Sequence, residues 1–321
     1  MDGVAASLVG FHRSILRKSM RDDHRSSLDA LVGVPFTKMT GSGNDFVVFD
    51  ARDTPLDLVT RPEVIEAICS RNNGIGADGI VLLEPGADES PESTVSEKHG
   101  GEIRLRYFNR DGTLGELCGN ATLCSTNFAI AAGLAHRSHV SLRTDAGLVT
   151  ARVVDGTPEI DVAPVDRVRV ELPDIPLIGG EWRMGFALVG VPHVVILTDD
   201  LSSADVAGRG RPIRQHASLL PSGANVNWVE PLADGRWAYR TYERGVEGET
   251  LACGTGAIAV AILLTEWGLT KAPVRLVTRS TRELKVSFRP LEATASSDRR
   301  WWPSLRGEGR VVFRGRIERL G

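Results

Sequence analysis

One signal occurs twice in this chain, and the repetition limits its folds more than any other feature. The first copy reads Glu116-Leu-Cys-Gly-Asn-Ala-Thr-Leu-Cys-Ser-Thr-Asn-Phe-Ala-Ile-Ala-Ala-Gly133-Leu134. The second reads Leu251-Ala-Cys-Gly-Thr-Gly-Ala-Ile-Ala-Val-Ala-Ile-Leu-Leu-Thr-Glu-Trp-Gly268-Leu269. Cys118 and Cys253 are 135 residues apart, and so are Gly133 and Gly268. Each copy has a cysteine and a small polar turn in front of an apolar, alanine-rich run that stops at glycine. That is the pattern of a helix start and a helix stop. A thiol at a helix start meets free N–H groups and the positive end of the dipole, which favour a thiolate or a bound carboxylate.

Other landmarks keep the same order. Aligned on Gly43 and Gly190, the strand-like Phe46–Phe49 falls on His193–Ile196, and Gly76-Ala77-Asp78 falls on Gly223-Ala224-Asn225. At the cysteine spacing, Tyr107-Phe108-Asn109 falls on Tyr242-Glu243-Arg244, and Val140–Thr144 matches Val274–Thr278 one residue closer. The expected fold class is α+β, with two homologous domains related by a pseudo-two-fold axis. Each is a strand-rich, barrel-like unit around one central helix, because a helix apolar on nearly every side must be enclosed. The predicted division is an N-terminal extension over 1–33, outside the fold and disordered or artefactual, then domains over 34–164 and 165–308. A last strand within about 309–321 completes the first domain. Strands are expected at Phe36–Met39, Phe46–Phe49, Ile80–Leu83, Glu102–Phe108, Phe186–Val189 and Val194–Leu197, with a hairpin over Val140–Val154. A helix should follow Pro62. Residues 85–101 and 289–304 read as loops, and Arg310–Phe313 and Ile317–Leu320 as the final strands.

Composition excludes several classes of function. With 321 residues, 42% hydrophobic and 25% charged, the chain suits two soluble globular domains. A net charge of −3 gives no footprint for nucleic acid or an anionic membrane. No apolar run is long enough to span a bilayer. Four cysteines and no signal-peptide pattern point to the reducing cytoplasm. Gly74, Gly76 and Gly79 open into a strand rather than a helix, so they lack the mechanism of a dinucleotide cradle. There is no Cys-x-x-Cys and no histidine pair for a metal. No lysine lies in a phosphate-loop context suited to pyridoxal phosphate, so no cofactor is implied.

Two thiols from separate halves, facing one carbon, would suit inversion of a stereocentre. One acts as base and the other waits as acid, while the helix ends hold the carboxylate beside the developing carbanion. A free cysteine titrates near 8.5, so each needs a coupled group, and His193 and Glu243 are the candidates. Plainer readings exist. A cysteine at a helix start can be a small core residue, and Cys69 and Cys124 are read that way. His193 could be a cap, Glu243-Arg244 a surface ion pair, and Asn44, Asn109 and Asn225 ordinary turn residues.

These stretches together resemble the diaminopimelate epimerase family. The similarity lies in Phe36-Thr-Lys-Met-x-Gly-x-Gly-Asn-Asp-Phe46, Gly74-Ile-Gly-Ala-Asp-Gly79, Phe108-Asn-x-Asp-Gly112, Cys118-Gly-Asn120, Pro192-His193, Asn225-Val-Asn227, Tyr242-Glu-Arg-Gly245 and Cys253-Gly-Thr-Gly256. It covers essentially all of residues 34–321. The resemblance implies cofactor-free interconversion of LL- and meso-diaminopimelate, in lysine and peptidoglycan synthesis, by an isomerase using cysteine catalysis. It implies that Cys118 and Cys253 are the proton donor and acceptor, tuned by His193 and Glu243. Gly119, Asn120, Gly254 and Thr255 would hold the reacting carboxylate, and Asn44, Asn109, Asn225, Glu243 and Arg244 the distal groups. Domain closure over the substrate is also implied. A homodimer is left open.

The chain departs from the family pattern at three places. Val191 replaces the asparagine before Pro-His, Leu123 falls where many members have arginine, and Gly79 replaces a glutamine. A hydrogen bond to a charged group is worth ~1.5–3 kcal/mol, so Val191 bears on substrate choice. Two other functions are therefore weighed: a racemase or epimerase of another amino acid, and a non-catalytic amino-acid-binding relative. Proline-type members carry histidine after the first Cys-Gly, where this chain has Asn120. A binder would need neither thiol.

Overall fold

The computed structural model describes residues 28–86, 102–115, 118–136, 138–289 and 301–320. Residues 1–27, and most of the two loops expected over 85–101 and 289–304, lie outside the described residues. The first half carries β1 (Pro35–Gly41), β2 (Asn44–Asp50), β3 (Gly79–Glu84), β4 (Ile103–Asn109), β5 (Leu114–Gly115), β6 (Val140–Thr144), β7 (Gly147–Val154) and β8 (Thr157–Asp161). The second carries β9 (Val168–Arg169), β10 (Glu181–Val189), β11 (Val191–Thr198), β12 (Asn225–Pro231), β13 (Trp237–Glu243), β14 (Gly248–Thr250), β15 (Val274–Val277), β16 (Glu283–Phe288) and β17 (Pro303–Arg306). A last strand, β18 (Arg310–Arg316), follows.

Strand pairing repeats between the halves. Antiparallel β1–β2 leads to parallel β2–β3, antiparallel β3–β4, parallel β4–β6 and the β6–β7–β8 meander. The same sequence of pairings links β10–β11, β11–β12, β12–β13, β13–β15 and β15–β16–β17. Each half wraps one central helix, Gly119–Ala131 or Gly254–Glu266. The fold is thus the expected α+β, sheet-rich class.

The repeat register differs from the sequence alignment by one residue at two landmarks. Phe46 pairs with Gly79 as His193 pairs with Asn225, so Gly79, not Asp78, is the counterpart of Asn225. Leu83–Leu105 matches Val229–Tyr239, and Ile103–Leu142 matches Trp237–Leu276. Asn109 therefore corresponds to Glu243 rather than to Arg244. The difference matters because one residue of slip moves a side chain to the other face of a sheet.

That alternation sorts the core. Phe46, Val48, Val81, Leu105, Val195, Val229 and Tyr239 join the central cluster around both helices. Their neighbours Val47, Phe49, Ile80 and Leu82 pack outward against the Pro62–Cys69 helix. Val194, Ile196, Val226 and Trp228 pack against Val206–Arg214. Strands buried on both faces must read as continuous apolar runs, as these do. Both central helices stop as expected. Gly133 and Gly268 adopt φ of 70° and 72°. The N–H of Leu134 bonds to the Ala129 carbonyl and that of Leu269 to the Leu264 carbonyl, the wide bond of a Schellman stop.

Three expectations need correction. Leu28 and Leu31 are buried in the outer cluster of the first half, and the Gly33 N–H bonds to the Ile317 carbonyl, so the fold starts before Val34. Pro303–Arg306 is a strand, not loop: it pairs with β16 on one edge and β8 on the other, joining the two halves. Polar Ser304 and the two tryptophans before it hid that strand's short apolar signal. The last strand is β18, which returns to pair with β1; Ile317–Leu320 is non-strand chain anchored by buried Ile317 and Leu320. The strand expected at Arg310–Phe313 is β18, which runs three residues further to Arg316.

Leu305 is the residue where these features converge. It pairs with Ile160 of one half and Val286 of the other, and is 1% exposed. Truncating such a side chain leaves a cavity, so Leu305→Ala should lower stability by ~2–5 kcal/mol. Urea unfolding will measure this, and an unchanged midpoint would show that the junction is not a shared core.

Candidate active site at two meeting helix starts

The two central helices meet at their first turns. A Cβ built on Gly119 would lie 3.7 Å from the Gly254 Cα, and one built on Gly254 would lie 3.7 Å from the Gly119 Cα. The Leu305 Cδ2 lies beneath both, 3.4 Å and 2.9 Å from those same Cβ positions. A side chain at position 254 would have to displace Leu305, whereas one at 119 would meet it at ordinary contact distance. Cys118 and Cys253 cap the two helices in nearly the same extended conformation, φ −126° and −129°. Their carbonyls close the first turns through the N–H groups of Thr122 and Ala257.

Around Cys253 the inner faces of β11, β12 and β13 supply His193, Asn225, Asn227, Tyr239, Thr241 and Glu243. The Cys253 Sγ is 3.5 Å from the Thr255 Oγ1, which is 3.0 Å from the His193 Nε2. Asn227 Nδ2 lies 3.2 Å from the other ring nitrogen. Glu243 accepts a 2.6 Å hydrogen bond from Thr250 and also hydrogen-bonds to Cys253. The Tyr239 hydroxyl donates to the Cys253 carbonyl at 2.9 Å, fixing the cap from behind. Around Cys118 the set is different. The Asn120 Nδ2 donates to the Asn44 Oδ1 at 2.6 Å, and the Asn44 Nδ2 donates to Asp78 at 3.2 Å. Asp78 also receives Arg71, which bridges to Asp45, and Asp45 pairs with the buried Lys38.

Burial dominates the electrostatics. It pushes the Cys118 thiol up to about 11; the Ala121 and Asn120 amides oppose this, while the Glu243 charge adds to it. Burial raises Cys253 well above its ordinary value, and Glu243 adds to the rise while the Thr255 hydroxyl and Gly256 amide oppose it. Glu243 is itself raised by burial, against hydrogen bonds from Thr250 and Cys253. Glu243 thus acts electrostatically on both thiols. His193, fully buried, is lowered to about 3 by desolvation and by the nearby Arg244 charge, so it is neutral at ordinary pH.

The structure therefore gathers Cys118, Gly119, Asn120 and Asn44 on one side, and Cys253, Gly254, Thr255, His193, Asn225 and Glu243 on the other. Arg244 joins through its backbone N–H, 2.7 Å from the Asn225 Oδ1, while its guanidinium donates to the Ser222 carbonyl. Asn109 is tied to its own turn by a 3.0 Å bond to Thr113. Cys69 and Cys124 are core, as expected. Asn227 and Asp78 stood in motifs without an assigned role, and Tyr239 and Thr250 were not singled out. Period-two reading of Tyr239, Thr241 and Glu243 would have placed all three on one face. Among the described residues, no three His, Cys, Asp or Glu side chains gather closely enough to hold a metal ion.

Two departures from the family pattern acquire physical reasons. A Cβ on Gly79 would lie 2.7 Å from the Tyr107 ring and 2.4 Å from the Phe108 carbonyl, so Tyr107 occupies the space a glutamine there would need. Leu123 is fully buried and packs under Gly307, so this position serves the core of the junction here.

Paired sheets around two enclosed helices are the fold this chain shares with a proline racemase and a phenazine-biosynthesis protein. A probable proline racemase from Agrobacterium radiobacter superposes with a TM-score of 0.58 at 18% identity, covering 88% of this chain and 92% of that one. A Bacillus anthracis phenazine biosynthesis protein of the PhzF family gives 0.61 at 14%, covering 88% and 98%. Within that fold the sequence is more specific. The profile of the family described as "Diaminopimelate epimerase" matches residues 36–168 and 185–287. A diaminopimelate epimerase from Gemmatimonas aurantiaca is 52% identical over 287 residues, 89% of this chain and 99% of that relative. One from Aquifex aeolicus is 37% identical over 79% of this chain and 89% of its own length. The chain belongs to the diaminopimelate epimerase family.

Neutral burial of His193 has a consequence for stability. Its folded pKa lies below its unfolded value of about 6.5, so acid protonates the unfolded chain first. This contribution to stability is present above 6.5 and is lost as pH falls from 6.5 toward 3, by up to ~1.4 kcal/mol per pH unit. Asp45 and Asp50, lowered mainly by their arginine and lysine partners against burial, act in the same direction. The comparison must therefore be with His193→Gln. Urea midpoints should show the wild type losing more stability than the variant below pH 6.5, and parallel curves would contradict a buried neutral ring.

Proposed function

We propose that this protein is a cofactor-independent, two-cysteine epimerase that interconverts LL- and meso-diaminopimelate at the α-carbon. The observation that carries the reading is the meeting of two helix starts at Gly119 and Gly254, each led by a thiol. Each helix end presents roughly half a positive charge and unpaired N–H groups. The N–H groups of Gly119, Asn120, Gly254 and Thr255 suit one α-carboxylate, which leaves the α-carbon between Cys118 and Cys253. One sulfur, as thiolate, removes the α-proton, and the electron pair delocalises into the carboxylate as an enediolate. The other sulfur, as thiol, delivers a proton to the opposite face.

Glu243 is the group suited to exchange a proton with Cys253, because the two are hydrogen-bonded and burial raises the carboxyl. Its transfer turns thiol and carboxylate into thiolate and carboxylic acid, moving one negative charge to the sulfur without adding to the net buried charge. His193 acts differently: neutral and linked through Thr255, it stabilises the charged sulfur without taking its proton. Asn225, Arg244 and Asn109 line the direction left for the distal ammonium and carboxylate, with the guanidinium exchanging the Ser222 carbonyl for a carboxylate fork. The same reading treats 34–164 with 309–321 as one domain and 165–308 as the other, closing on the substrate. The return of β18 to β1 supports that division. Four free thiols suit the reducing cytoplasm and an enzyme of lysine and peptidoglycan precursor synthesis.

Chiral chromatography of LL-diaminopimelate incubated with the protein should show conversion to the meso form. Cys118→Ala and Cys253→Ala should each lower kcat by at least ~10³-fold, the scale of a lost acid or base. Conversion of another amino acid but not diaminopimelate would assign Val191 a change of substrate. A fully active single mutant would remove the two-thiol mechanism.

A further inference from the structure

Asn227, which none of the matched motifs assigns a role at the thiol, has an orientation fixed from two sides. Its Nδ2 donates to the Val194 carbonyl at 2.9 Å, and its Oδ1 accepts from the Thr241 hydroxyl at 2.8 Å. Reversing the amide would press its oxygen against the Val194 carbonyl oxygen, so only one orientation is satisfied. The same Nδ2 lies 3.2 Å from the His193 Nδ1. An amide NH2 can only donate, so Nδ1 must hold a lone pair, and the neutral ring then carries its hydrogen on Nε2.

The remaining contacts follow from that proton. His193 Nε2 is 3.0 Å from the Thr255 Oγ1 and donates to it. The Thr255 hydroxyl, having accepted, turns its own hydrogen toward the Cys253 Sγ at 3.5 Å. Asn225 Nδ2 is also a donor, but it stands 3.5 Å from Nε2, at the outer limit of a hydrogen bond, so the nearer Asn227 donor decides which nitrogen keeps its lone pair. We propose that Asn227 is a positioning residue that locks His193 in the Nε2–H tautomer, making His193 and Thr255 a one-way line of donors ending on the Cys253 sulfur. The inference rests on the reading of Cys253 as an acid–base thiol. Its consequence is that His193 has no free lone pair with which to act as base, because one nitrogen is protonated and the other is occupied by a donor. The same geometry needs Gly256: a Cβ there would meet the Asn227 Oδ1 at 2.4 Å and the Cys253 Sγ at 3.3 Å.

Nitrogen NMR of the full chain with isotope-labelled histidine tests this without substrate, His193 being assigned by its loss in His193→Gln. The expected wild-type spectrum has a bare Nδ1 and a protonated Nε2. In Asn227→Asp a carboxylate replaces the donor, so the His193 Nδ1 should become protonated. In that variant kcat should fall at least ~10-fold while KM stays within ~3-fold, the pattern of an interaction used mainly in the transition state. A wild-type ring protonated at Nδ1 overturns the inference even if no variant folds. An unchanged tautomer in Asn227→Asp overturns the role of Asn227. An Nε2–H ring in a protein that leaves diaminopimelate unchanged would refute the proposed function and leave the tautomer assignment standing.

Discussion

Two helix starts of like sign are held against each other, and the rest of the molecule arranges itself around that contact. Positive helix ends repel, so a junction this close is stable only with negative charge between them or with strong packing behind. Packing is visible in Leu305, which lies under both glycines while its strand is paired to both halves. The missing negative charge is what a substrate carboxylate and a thiolate would supply. Burial raises both thiols, and backbone amides of the two helix starts oppose that rise. The site therefore favours the negative ligand and the negative intermediate through one arrangement of backbone N–H groups. A Cβ at Gly254 would press on Leu305, the residue that packs beneath both helix starts.

The halves share a fold but not their chemistry. At equivalent register positions the first half has Phe46, Gly79, Val81, Tyr107 and Asn109, where the second has His193, Asn225, Asn227, Thr241 and Glu243. Nearly all the polar groups that act on a sulfur therefore surround Cys253. Cys118 is acted on by its own helix amides and by the charges of Glu243 and Asp78. Glu243 is the one carboxyl whose field reaches both thiols. An asymmetric pair suits a reaction whose two partners differ, since LL- and meso-diaminopimelate leave opposite configurations at the reacting carbon. The ion network Lys38–Asp45–Arg71–Asp78 supports the quieter side, anchoring Asn44 from behind.

Much of this was legible in the chain because the repeat is strong where burial is complete. Cys-Gly starts, glycine stops and doubly buried strands such as Phe46–Phe49 each leave a local signal, so both helices and most strands were found. Register was not legible to the residue. The offset shifts by one between β4 and the first cysteine, which placed Arg244 rather than Glu243 opposite Asn109. Strand Pro303–Arg306 was missed because its pairing partners lie more than a hundred residues away in one direction, and of its buried residues Pro303, Ser304 and Leu305 only the last carries a strand-like apolar signal. The roles of Asn227, Tyr239 and Asp78 were missed for a related reason. Each acts through a cross-strand or loop contact, and neither a motif that contains an asparagine or aspartate nor a lone tyrosine carries a signal of what the side chain will touch.

The central claim is that two sulfurs work on opposite faces of one carbon, and early isotope incorporation in heavy water tests it most directly. A thiol exchanges its hydrogen with solvent rapidly, so a proton delivered by the second sulfur must come from the solvent. Mass spectrometry of the first few per cent of reaction should then find deuterium at the α-carbon of the product, with the unreacted isomer still carrying its original hydrogen. Product that retains the substrate's own hydrogen would mean that a single group removes and returns the proton, and would contradict the account.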